Sequence, residues 1–163
     1  MPTVNYANEG RLADDEKAVL AIIRQVCRDY RIADRPGGGG KLILLTGFSS
    51  GGFPLYTIGV KHAGLFDMLI ARDCNYFDGL MNGVTVGEAA RRLPIVVFWG
   101  KDDLTIRDQS WKAFRWLREN GCKGARQKII EGGHLVAPGH KVHGQMGPHK
   151  PATACDQNTF RHR

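Results

Sequence analysis

Residues 44–53, LLTGFSSGGF, decide the fold. An apolar run stops at Gly47, passes Ser49 and Ser50, and resumes at Phe53 after two more glycines. The apolar half reads as a buried strand, and the glycine-bounded segment after it, GGFPLYTIGVKHAG, reads as a helix whose first turn tolerates Pro54. Between them, Gly47, Phe48, Ser49, Ser50 and Gly51 satisfy G-x-S-x-G in the strand-turn-helix context that this motif requires. A serine at such a turn takes strained backbone angles, and the flanking glycines leave room for neighbouring chain to pass. Ser49 would then project at the C-terminal edge of the sheet, with the backbone N–H of Ser50 facing any oxyanion formed there.

Working outward, two phosphate-binding readings fail. RPGGGGKL (residues 35–42) has arginine where a Walker loop needs its first glycine and leucine after Lys41, and it precedes its strand. GFSSGG places Ser49 at the second glycine of the dinucleotide pattern.

Upstream, DDEKAVLAIIRQVCRDY reads as a helix with Val19, Ile22, Ile23, Val26 and Tyr30 on one apolar face and carboxylates at its start. Downstream come a strand at FDMLIAR (66–72), a short helix at VGEAARR, a second buried strand at PIVVFWG (94–100), and a helix over IRDQSWKAFRWLRENG. That helix would turn Trp111, Phe114 and Leu117 inward and end at Gly121. RQKIIEGG reads as the last strand. Strands alternating with helices imply an α/β fold with a parallel sheet of about four strands and helices on both faces. The division expected is an irregular segment over 1–13, a domain over 14–136, and an irregular or disordered tail over 137–163, where periodicity gives way to Gly, Pro, His and Lys.

Composition narrows the function classes. The 163 residues, 42% apolar and 24% charged, suffice for one globular core. No stretch is apolar enough to span a bilayer, so no membrane role is expected. The N-terminus carries no export pattern, and the compartment stays unknown: cytoplasmic for the chain as written, secreted for a longer parent that bears a signal. The net charge is +7, but the basic residues are scattered, as at Arg24, Arg28, Arg91, Arg92, Lys112, Arg115 and Arg118, without a recognised nucleic-acid module, so no nucleic-acid partner is expected. Cys27, Cys74, Cys122 and Cys155 show no paired spacing and read as reduced and structural. His140, His143 and His149 with Cys155 match no metal-ligand spacing, and neither metal nor cofactor is expected. Trp99, Trp111 and Trp116 read as core or helix-face aromatics, and His62 as a helix-face residue.

A serine hydroxyl needs a base, and the base needs an orienting group. FWGKDD sets Asp102 and Asp103 just after a strand, and IEGGHL sets His134 just after the last one. Parallel strands carry their C-terminal ends to one edge, so these groups would converge with Ser49. The order Ser, Asp, His is that of the α/β-hydrolase arrangement.

On these residues the chain resembles the α/β-hydrolase superfamily over residues 14 to 136, in particular esterases of the polyhydroxybutyrate-depolymerase and feruloyl-esterase kind. Tyr30 to Asp34 match the segment before the nucleophile strand, Gly100 with Asp103 the Gly-x-x-Asp that bears the acid, and Gly133 with His134 the Gly-His pair. The resemblance implies a Ser49–His134–Asp103 triad hydrolysing small or polymeric carboxylic esters through an acyl-enzyme, with Asp102 the rival acid. It also implies a second oxyanion donor on a loop after an earlier strand, which has no counterpart before the first helix. The expectation is therefore a partial fold lacking the N-terminal half of its sheet. A missing segment or a second copy would then cover strand 41–46, and the alternative is a non-catalytic remnant with an incomplete oxyanion hole. Loss of one oxyanion donor costs roughly 10²–10³ in kcat.

Overall fold

The computed structural model describes residues 9–133. The chain runs α1 (Glu9–Asp29), β1 (Leu44–Ser49), α2 (Gly52–Lys61), β2 (Met68–Cys74), α3 (Glu88–Arg92), β3 (Ile95–Gly100), α4 (Leu104–Glu119) and β4 (Ala125–Ile130), with short 3-10 turns at Ala63–Leu65 and Asp78–Met81. The four strands form one sheet in sequence order, and every neighbouring pair is parallel. This is the α/β architecture with about four parallel strands that the alternating pattern predicts.

Register shows how the sheet makes a core. Leu45, Leu69, Ile95 and Ala125 lie side by side across the four strands, and so do Gly47, Ala71 and Val97 one pleat on. Leu69, Ala71, Ile95, Val97 and Ala125 are buried on that face. Helix α2 lies against it so closely that a Cβ on Gly59 would come within 2.8 Å of Leu69. Helix α4 packs on β2, β3 and β4. The Asp103 carboxylate caps α4 by accepting the Ile106 N–H at 3.0 Å. A glycine closes it: with Gly121 at φ +85°, the Cys122 N–H reaches the Leu117 carbonyl at 2.9 Å and the Gly121 N–H reaches Arg118 at 3.1 Å.

The inward face of α4 differs from the sequence expectation. Ile106, Ser110, Ala113 and Leu117 are buried, Phe114 is half-buried, and Trp111 is 44% exposed. The small residues Ser110 and Ala113 let the helix approach the sheet closely, and the larger rings fall to its flank. Trp99 is buried, as a core aromatic should be.

Helix α1 begins at Glu9, inside the segment read as irregular, and its apolar face is only partly covered. Ile23 packs on the core, but Ile22 is 60% and Tyr30 67% exposed. β1 is an edge strand, and Leu42 and Leu44 are half-exposed beside that helix face. KLILLTG is thus not a fully buried strand: periodicity names the apolar side of an element and says nothing of what covers it. The opposite edge, β4, carries Arg126 and Lys128, the charges that guard an exposed strand. β1 has none.

Residues 35–40 form a closed loop between Asp34 and Lys41, which bridge antiparallel and pair at 2.8 Å. Gly37 to Gly40 all take positive φ there. The loop feeds the N-terminal end of β1, whereas Ser49 stands at the other end.

Helix α1 is fastened to α2 by charge. Glu16 accepts from Lys61 at 2.9 Å and pairs with the His62 ring at 2.6 Å, which gives His62 a partner beyond its helix-face position. The hydrogen bond from His62 holds the Glu16 carboxyl below its ordinary range, with burial opposing and Lys61 helping. A lowered folded-state pKa adds stability above the ordinary carboxylate value and loses it as pH falls through the folded value. Below about pH 4, amide exchange in α1 is therefore expected to accelerate relative to the sheet, and Glu16→Gln is expected to remove that pH dependence.

Candidate active site

The turn after β1 is built by exclusion. A Cβ on Gly47 would sit 2.6 Å from the Gly51 carbonyl oxygen, and one on Gly51 would sit 2.9 Å from that of Phe48. A Cβ on Gly52 would meet the Asn75 oxygen at 2.4 Å and the Cys74 Cβ at 2.6 Å. Three chain segments therefore meet where only hydrogen fits. The Gly51 N–H closes the turn on Phe48 at 2.8 Å. Ser49, at the apex, has φ +50°, the left-handed region that a non-glycine residue enters only at a cost. Its side chain is half-buried, Ser50 is exposed, and the Ser50 N–H has no backbone acceptor among the described residues.

Across from Ser49 the sheet is deliberately irregular. Phe48 stands opposite Arg72 and Ser49 opposite Cys74, so Asp73 is the extra residue of a β-bulge, with φ +43°. The bulge turns the Asp73 carboxylate into the interior, where it is 5% exposed and accepts the Gly100 N–H at 2.8 Å. It also carries Asn75 alongside the serine: the Asn75 N–H donates to the Ser49 carbonyl at 2.8 Å, and the Ser49 hydroxyl donates to Asn75 Oδ1 at 3.4 Å.

The ends of β3 and β4 lie together. The Lys101 N–H bonds Ile130 at 3.0 Å and the Asp102 N–H bonds Gly132 at 3.2 Å, with a Lys101–Glu131 ion pair above them. A Cβ on Gly100 would fall 2.3 Å from the Gly132 oxygen and 2.9 Å from that of Gly133. The glycines before His134 thus run against the turn that carries Asp102 and Asp103. Asp102 is exposed, and Asp103 is half-buried at the cap of α4. His134 itself lies outside the described residues, as do His140, His143, His149 and Cys155. Among the described residues, Cys27, Cys74 and Cys122 are free thiols; burial pushes Cys74 up to about 12, so it is inert.

Three polar residues at this edge escaped the sequence reading: Asp73, Asn75 and Gln109. An aspartate interrupting the apolar run of β2 was a signal for the first. Gln109 had none, because a glutamine on an amphipathic helix looks solvated.

No family model matches this chain. No curated protein matches it either. Solved structures do. A thermostable esterase is 25% identical with a TM-score of 0.54, over 72% of this chain and 28% of its own. Acyl-protein thioesterase 2 of Zea mays is 15% identical with a TM-score of 0.57, over 77% of this chain and 59% of its own. The enterobactin esterase of Shigella flexneri is 17% identical with a TM-score of 0.51, over 78% of this chain and 34% of its own. The chain therefore spans between roughly a quarter and three-fifths of the structures it resembles.

Proposed function

We propose that this partial α/β-hydrolase fold is a serine hydrolase of carboxylic esters, with Ser49 as its nucleophile. The observation that carries the reading is Ser49 at φ +50°, at the apex of a strand-to-helix turn whose three glycines admit no side chain. A protein pays for a strained serine where the hydroxyl must stand clear of its own backbone.

In the reaction, Ser49 Oγ attacks the acyl carbonyl carbon while His134 takes the hydroxyl proton. The carbonyl oxygen becomes an oxyanion opposite the Ser50 N–H, a donor with no backbone acceptor among the described residues to give up. Collapse breaks the ester C–O bond, and the imidazolium returns the proton to the leaving alcohol. Water then attacks the Ser49 acyl ester by the same route and restores the hydroxyl. Asp103 holds the imidazole in the tautomer that can accept the proton. A second oxyanion donor and a cover for β1 would be supplied by residues outside those described or by a second copy.

A fluorophosphonate tests this directly. Its adduct is expected on the peptide containing Ser49 in folded protein, located by mass spectrometry. An adduct elsewhere, or none in protein shown to be folded by its melting transition, would leave a non-catalytic remnant of the fold as the correct account.

A further inference from the structure

The hydroxyl of Ser49 is held by a side chain whose polarity a backbone amide dictates. The Tyr76 N–H donates to Gln109 Oε1 at 2.8 Å, so only the oxygen of the Gln109 amide can face it. That same oxygen accepts Asn75 Nδ2 at 3.1 Å, so the nitrogen of the Asn75 amide must point toward α4. Asn75 Oδ1 is left facing Ser49, where an acceptor can only take the hydroxyl proton. An amide's two ends are told apart by the network around them, and here the network ends in a group that cannot flip.

We propose that Asn75, oriented by Gln109, is a positioning residue that holds the Ser49 hydroxyl proton on its Oδ1 until substrate arrives. This rests on Ser49 being the nucleophile. A carbonyl oxygen beside the nucleophile favours the protonated, resting hydroxyl and offers nothing to an Oγ that has given its proton to imidazole. At 3.4 Å the hydrogen bond is long for O–H···O, so it is weak enough to be surrendered in each turnover. The relay joins β1, the segment after β2, and α4, so a shift of α4 would reach the nucleophile through two amides.

The experiment compares three variants by the rate of fluorophosphonate attachment at Ser49. Asn75→Ala removes the competing acceptor and is expected to speed attachment about three-fold, the low end of what a hydrogen bond contributes. Gln109→Leu frees the Asn75 amide to turn its nitrogen toward Ser49 and is expected to speed it at least as much. Gln109→Glu, above the carboxylate range, keeps both acceptor roles and is expected to retain the wild-type rate and pH profile. Slower attachment in Asn75→Ala, or equal rates in the two Gln109 variants, overturns the proposal. Side-chain amide NMR separates this from failure of the hydrolase reading. If wild-type protein takes no phosphonate, the relay stands when Gln109→Glu keeps the Asn75 amide protons at their hydrogen-bonded shift and Gln109→Leu releases them. It falls when both variants shift them alike.

Discussion

Ser49→Ala is expected to abolish fluorophosphonate attachment and to lower ester hydrolysis by at least about 10³-fold, with the melting transition unchanged. The side chain is half-buried and its hydroxyl makes one long hydrogen bond among the described residues, so little folding energy goes with it. Alanine keeps the Cβ and therefore the same strained turn, so the loss isolates the oxygen. A hydrolysis rate surviving at wild-type level in this variant would remove Ser49 from the chemistry altogether. The same assay assigns the acid. Asp103→Asn leaves a residue that still caps α4 but carries no charge for an imidazolium, and a drop of roughly 10²–10⁴ is expected. Asp102, exposed at the preceding position, is expected to tolerate asparagine within about two-fold, a change no larger than surface charges usually produce. The reverse ranking would make Asp102 the acid.

Gly52→Ala is expected to cost about 3 kcal/mol and to lower the melting temperature by about 10 °C. The new Cβ would lie 2.4 Å from the Asn75 carbonyl oxygen and 2.6 Å from the buried Cys74 Cβ, and neither can swing aside as a flexible side chain would. To make room, the turn must move off the β-bulge. That displaces the Asn75 N–H from the Ser49 carbonyl, so fluorophosphonate attachment at Ser49 should fall with stability. Gly64 is the control. A Cβ there meets nothing within 4 Å, and its φ lies outside the left-handed range, so Gly64→Ala is expected to change stability by no more than about 0.5 kcal/mol. Equal melting temperatures for the two variants would contradict the crowding at the turn.

The two glycine variants also show how much of the site could be read in advance. The letters G-x-S-x-G located the turn because its steric demand falls on residues adjacent in sequence. The aspartate inside β2 was visible as an interruption, but the bulge it makes was not, since its partner, the Gly100 N–H, is 27 residues away. Asn75 and Gln109 are 34 residues apart and become neighbours only when α4 packs beside β2. Asp103 was legible as a residue just after a strand, and the structure adds that its carboxylate begins α4.

By itself, the sequence determined the strand and helix types, the parallel α/β arrangement and the place of the strained serine, because periodicity and glycine spacing act over a few residues. Only the tertiary structure decided which apolar faces are covered and which polar groups meet Ser49. Trp111 rather than Ala113 faces solvent because the helix packs on its smallest residues, and Leu44 stays half-exposed because, among the described residues, β1 has a neighbour on one side only. Those outcomes depend on contacts between distant segments, and no local pattern encodes them.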